Sequence, residues 1–78
     1  MYYVYILKCA NRKPYIGCTE NIEERLERHS SGYVPATKNC RPVILFSYFA
    51  LANKHKAFEF EKYLKSGSGR AFMHTHLI

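Results

Sequence analysis

The chain contains no aspartate, so its only carboxylate side chains are six glutamates. Four of them, Glu20, Glu23, Glu24 and Glu27, crowd into one short stretch. A two-metal carboxylate cage of the polymerase or phosphatase kind is hard to build from so few dispersed ligands. Cysteine is scarce too. Cys9, Cys18 and Cys40 are odd in number and widely spaced, with no C-x-x-C pair. That argues against a disulfide framework and a zinc site, and for a reducing compartment. No apolar run is long enough to span a membrane, and Met1 to Leu7 lacks the basic start and longer apolar run of a secretory signal. A cytoplasmic protein with no membrane partner is expected.

What is present begins with charge. Twelve Lys and Arg against six Glu leave a net charge of +6 on 78 residues, which form one small domain spanning 1–78. Such a domain buries only about 60% of the surface its unfolded chain exposes, so its core is marginal. A basic balance in so small a unit favours a polyanionic partner, nucleic acid first. The bland alternative is a merely soluble basic surface.

Tyr2 to Lys8 is rich in β-branched and aromatic residues and apolar on both faces, the pattern of a strand covered on two sides. A polar turn over 9–14 precedes a second short strand, Tyr15 to Cys18, and the two pair most simply as an antiparallel hairpin. Gly17 is read as ending that strand, with a bulge or a close backbone approach. A helix is predicted from about Asn21 to Ser31, with Asn21 and Glu24 as a capping pair and Gly32 as the stop. With Ile22 as origin and ~100° per residue, Leu26 falls at about 40°, His29 at about 340° and Arg25 at about 300°. Arg25 and His29 thus flank the apolar stripe, while Glu23, Glu24 and Glu27 face water.

Residues 32–42 read as a loop. The run from Pro42 to Leu51 is the most apolar in the chain and is predicted to be a buried central strand. A second helix over about Asn53 to Lys65 turns Ala57, Phe60 and Leu64 inward. Glu61 borders that arc and Glu59 faces away. Ser66-Gly67-Ser68-Gly69 is read as the helix stop, and 70–78 as a tail of undefined structure whose His74 and His76 make a weak H-x-H metal pair. The expected architecture is α+β: a small, mostly antiparallel three-stranded sheet flanked by helices, in the order β-β-α-β-α.

Tyr3-Val4-Tyr5, then Tyr15-Ile16-Gly17, then Arg25 and His29 on the next helix, then Glu61 in the late helix, together resemble the GIY-YIG nuclease superfamily. The resemblance covers nearly the whole chain and is closest to the short single-domain bacterial members. The N-terminal incision domain of the bacterial excision-repair nuclease is a more distant likeness. Tyr3 replaces the usual first Gly, Cys18 follows the second motif where the excision-repair relative has Lys, and no asparagine follows Glu61.

The resemblance implies a catalytic group made of Tyr5, Tyr15, Arg25, His29 and Glu61, with one divalent ion, Mg²⁺ or Mn²⁺, held by Glu61. Its chemistry would be hydrolysis of a DNA phosphodiester, with RNA as the alternative to DNA, at branched, flapped or damaged structures in repair or recombination. These residue types suit that chemistry. An anionic diester needs a base for water, cations over the phosphate and help for the leaving oxygen. Arg25 offers a planar fork to phosphate oxygens, and Glu61 a hard oxygen ligand. Tyr15 is favoured as base, with Tyr5 and His29 orienting groups or shuttling protons. Each residue also has a plainer reading: Tyr5 and Tyr15 as core aromatics, Arg25 in a surface ion pair, His29 against the helix dipole, Glu61 paired with Lys65. At the level of function, the rival is a basic nucleic-acid-binding module that keeps the nuclease fold with little turnover.

Overall fold

A computed structural model describes residues 1–78. Strands β1 (Tyr2–Lys8) and β2 (Pro14–Thr19) form the expected hairpin. They are followed by α1 (Ile22–Ser30), a 3-10 turn at Lys38–Cys40, β3 (Ile44–Leu51), α2 (Lys54–Lys65) and α3 (Gly67–His76). The three strands make one antiparallel sheet in the order β2-β1-β3. The element order is therefore β-β-α-β-α-α, an α+β fold with one helix more than the sequence suggested.

The central strand is β1. Its Val4, Tyr5, Ile6 and Leu7 are all fully buried, as a strand covered on both sides requires. Because side chains alternate across a strand, Val4 and Ile6 face one way and Tyr5 and Leu7 the other. Val4, Ile6 and Ile16 pack with Ala57, Leu64 and Met73 from α2 and α3 to form the apolar core. On the opposite face Tyr5 meets His29 of α1, which in turn meets Thr37 in the segment after that helix.

β3 corrects the expectation of a central strand. It lies at the sheet edge, pairing only with β1, and its residues alternate between exposed and half-buried. Ile44, Phe46 and Tyr48 are exposed, whereas Phe49 packs edge-on against Phe60 of α2 at 4.9 Å between ring centroids. A mostly apolar run does not reveal that only one face of it is covered. The hairpin already occupies one side of β1, so the last strand takes the remaining edge.

Gly17 does not end β2, which continues to Thr19. It is instead the cross-strand partner of Tyr5, and a Cβ there would overlap the Tyr5 phenol. The close approach implied by that glycine is to a side chain of the same sheet.

The stretch read as a helix stop starts a helix. Ser66 ends α2 and caps α3, its Oγ accepting from the Gly69 amide at 3.2 Å. Gly69 lies against the Tyr63 carbonyl, where a Cβ has no room. Each glycine costs a helix about 1 kcal/mol relative to alanine. A serine cap returns ~1 kcal/mol, and full burial of Met73 roughly 1.5–3 kcal/mol. The tertiary gains win. His74 and His76 thus stand on α3, and side chains two apart on a helix do not share a face. The H-x-H pair is not a chelate.

Candidate active site

The turn into α1 is short and pinned at both ends. The Thr19 hydroxyl donates to the Asn21 carbonyl at 3.2 Å and accepts from the Asn21 amide at 3.1 Å. Asn21 Oδ1 accepts from the Glu24 amide at 3.0 Å and caps the helix. This local geometry sets the phase of α1 against β2 and turns His29 into the protein.

His29 is fully buried. Its Nε2 lies 2.9 Å from Tyr5 Oη and its Nδ1 2.7 Å from Thr37 Oγ1. The Thr37 hydroxyl has the Val34 carbonyl oxygen at 3.5 Å as an acceptor for its own proton. The set is satisfied when His29 Nδ1–H donates to Thr37 and Tyr5 O–H donates to Nε2, which assigns the tautomer of the ring. Burial, and then the charges of Arg25 and Arg28, hold the imidazole below its ordinary value, so His29 is neutral near pH 7. It is no dipole-stabilised surface imidazolium.

Tyr15 closes the group from the neighbouring strand. Its ring centroid is 5.1 Å from that of His29, and Tyr5 stands 5.7 Å from the same imidazole. The two tyrosines differ in setting. Tyr5 is fully buried, Tyr15 only half-buried. Burial pushes the Tyr5 phenol up to about 12, opposed by a hydrogen bond and positive charge from Arg25 and assisted by the charges of Tyr15 and Glu61. Arg25 makes no ion pair with any glutamate, so the surface-pair reading fails for it. Its guanidinium is near enough to Tyr5 to oppose the upward push of burial on that phenol.

Glu61 reaches the group from α2. Its charge raises Cys18 of β2 as well as Tyr5 of β1, and Arg25 opposes it at both, so the carboxylate and the guanidinium act on the same two residues. Its side chain is 22% exposed against 54% for Glu59, in keeping with the helical phase read from the sequence. Glu61 Oε2 accepts from Lys65 Nζ at 2.9 Å, the plain pairing also foreseen, and it accepts no other hydrogen bond. The chain has no cluster of three His, Cys, Asp or Glu side chains that would enclose a metal. One carboxylate with a free oxygen fits a Mg²⁺-type ion that keeps most of its waters, and does not fit a closed zinc site.

Sequence reasoning missed Thr37. It lies in the segment read as loop, and nothing in its neighbourhood announces that its hydroxyl meets an imidazole eight residues away. Clefts open on both sides of the group. One of about 400 Å³ is lined by Arg25, Glu24, Lys54 and Phe58, the other of about 500 Å³ by Tyr15, Lys65, Arg70 and His74.

A sequence model described as the GIY-YIG catalytic domain matches residues 1–74. The chain belongs to the GIY-YIG family. That is a family of nuclease domains, which act on nucleic acid and generally use divalent metal ions. In this GIY-YIG domain the two signature tripeptides are cross-strand neighbours, with Tyr5 opposite Gly17 and Leu7 opposite Tyr15. The chain is 38% identical over 71 residues to the "UPF0213 protein in ldhD 5'region" of Pediococcus acidilactici, covering 86% of this chain and 71% of that protein. It is 53% identical over 45 residues to a UPF0213 protein of Syntrophus aciditrophicus, covering 55% of this chain and 52%, about half, of that relative. Among solved structures, the solution structure of the UPF0213 protein BH0048 from Bacillus halodurans superimposes with a TM-score of 0.61 at 30% identity, over 96% of this chain and 84% of that one. These comparisons match the short single-domain form of the GIY-YIG fold. No helix of the domain is long and apolar enough to cross a membrane.

Proposed function

We propose that this domain is a metal-dependent endonuclease that hydrolyses DNA phosphodiester bonds, selecting branched, flapped or damaged structures. The observation that supports this best is the meeting of a neutral buried imidazole, two tyrosines and a guanidinium without a carboxylate partner on one face of the sheet, with a single carboxylate within electrostatic reach. A purely structural cluster has no need of an Arg without a carboxylate partner.

The residues divide the work. Arg25 lays its fork on the non-bridging oxygens of the phosphate, where negative charge grows in the transition state. Tyr15, half-exposed and lining a cleft, acts as the phenolate, having given its own proton to solvent through that cleft, and takes the proton of the attacking water. Tyr5 is unsuited to that role, since burial holds its proton firmly and it donates to His29. Tyr5 and His29 instead set the position of Tyr15 and exclude water behind it. The divalent ion, when bound at Glu61, supplies charge neutralisation at the phosphate. A domain of this size makes roughly 4–6 phosphate contacts, which position it on a nucleic acid without reading sequence, and this favours recognition of structure over sequence.

The Lys65–Glu61 pair favours the rival reading of a slow binding module, because it occupies part of the carboxylate. Labelled fork, flap and single-stranded DNA incubated with Mg²⁺ or EDTA separates the two. Cleavage with Mg²⁺ that is lost in EDTA and in Glu61→Gln, but kept in Glu59→Ala, is expected. Equal cleavage by Glu61→Gln at limiting Mg²⁺ overturns the assignment, and binding without any cleavage favours the module.

A further inference from the structure

The cleft of about 500 Å³ beside Tyr15 has a composition that the five-residue group does not explain. Lys13 from the turn before β2, Lys65 from the end of α2, and Arg70 and His74 from α3 converge on it, and buried Met73 also lines it. No carboxylate lines it. The cleft on the other side of the group, by contrast, sets Glu20 and Glu24 beside Arg25 and Lys54.

The cations here are largely unspent. The chain has three ion pairs, and of the cleft's basic residues only Lys65 takes part in one, with Glu61. Neither Lys13 nor Arg70 uses its side chain in a hydrogen bond or ion pair within the chain. Arg70 also stands in the first turns of α3, where the positive end of the helix dipole disfavours a cation, and α3 holds no acidic residue to offset it. An arrangement that is unfavourable when empty is relieved by an anion.

We infer that this cleft is a second phosphate subsite, in which Lys13, Arg70 and His74 hold an internal phosphodiester of the same strand, adjacent to the one being cut at Tyr15. The inference rests on the nuclease reading for the identity of the strand, and its geometry is independent of turnover. The strand then runs along α2, past Glu61 and Lys65 and into the cleft, so that Lys65 bridges the carboxylate and the neighbouring phosphate. Cutting and positioning draw on separate residues of one groove.

The test uses the full chain in EDTA, where nothing is cleaved, and a single-stranded 12-mer titrated at several salt concentrations. Arg70→Ala and Lys13→Ala each remove an exposed side chain and are expected to flatten the log–log salt slope by about 0.7. Lys56→Ala, a cation of α2 outside the cleft, leaves it unchanged. A methylphosphonate scan then neutralises one linkage at a time. One linkage is expected to matter to the wild type and to have no further effect in the Lys13→Ala/Arg70→Ala double variant. Slopes equal to wild type, or a methylphosphonate penalty that persists in full in the double variant, overturn the subsite. If only removal of a terminal phosphate from the oligonucleotide abolishes the difference, the cleft takes a chain end and the internal placement is wrong. Cleavage in Mg²⁺ is scored separately: a protein that binds in this manner yet never cuts loses the nuclease reading and keeps the subsite, and a protein that cuts identically with and without Arg70 and Lys13 loses the subsite alone.

Discussion

The two faces of the sheet are buried by different means. On one, Val4, Ile6 and Ile16 meet Ala57, Leu64 and Met73, all apolar and all contributed by regular elements. On the other, Tyr5 meets His29, and His29 meets Thr37 from an irregular segment, so the contacts are hydrogen bonds as well as packing. The first face gains from area removed from water and tolerates changes of shape at constant volume. The second gains little from each bond, about 1 kcal/mol net, but loses more when one partner is left unpaired. Stability is therefore concentrated on the face packed against α2 and α3, and positional accuracy on the other. The same central strand serves both, through alternate residues.

The sharpest separation should come from the hydroxyls. Tyr15→Phe keeps ring volume, so melting should move little, while single-turnover cleavage should fall by about 10²–10⁴. Tyr5→Phe should slow cleavage less, because it alters only the orientation of His29. If both variants cut at the wild-type rate, the polar face is merely a second core. Leu64→Ala probes the opposite face and should cost about 2–5 kcal/mol. At temperatures where it remains folded its cleavage rate should match wild type. A rate loss beyond the unfolded fraction would show that the two faces are not separable.

Thr37→Val is smaller and more diagnostic. It leaves His29 Nδ1 without a partner, a cost of about 1–3 kcal/mol, and should lower the cleavage rate as well. Thr37→Ser restores the hydroxyl and should recover both; recovery of stability without rate would confine Thr37 to packing. The mildest effect is that of pH. His29 in the folded protein is held below its ordinary value of 6.5, so the unfolded chain takes up the proton first. Its contribution to stability is complete above pH 6.5 and is lost as pH falls from there through the folded value. Melts of wild type and His29→Gln between about pH 7.5 and 5.5 (a range set by about one unit either side of the reference value) should converge as pH falls. Parallel curves would mean that the imidazole is not the buried neutral group described here.

Features that depend on short-range rules were legible in the sequence. The phase of α1, and with it the inward turn of His29 and the placement of Arg25, followed from helical periodicity and the Asn21 cap. Glu61 and Glu59 were told apart in the same way. What depended on distant contacts was not legible. Ser66 to Gly69 carries every local mark of a terminator, and the Ser66 cap, the seating of Gly69 on the Tyr63 carbonyl and the burial of Met73 together make it the start of α3. The apolar run of β3 resembled an interior strand because one-dimensional hydrophobicity does not report that its second face is open. Of the polar cluster, Tyr5, Tyr15 and His29 were nominated in advance. Thr37 was not, since a threonine between Ala36 and Lys38 has no distinguishing neighbour.

Ser66 is a junction without a linker. One hydroxyl donates to the Tyr63 carbonyl at 2.6 Å and accepts from the Gly69 amide at 3.2 Å, so α2 and α3 share a single residue as end and beginning. The consequence is a constraint on length. Between Glu61 and Arg70 the chain behaves as a ruler with no slack, because a single residue inserted there would turn α3 by about 100° about its axis. The segment between α1 and β3 has no such phase to keep except around Thr37 and the 3-10 turn after it, and an insertion near Tyr33, which is exposed, leaves the helices in register. Variation in length among chains of this architecture should accordingly collect before β3 and spare the step from α2 to α3.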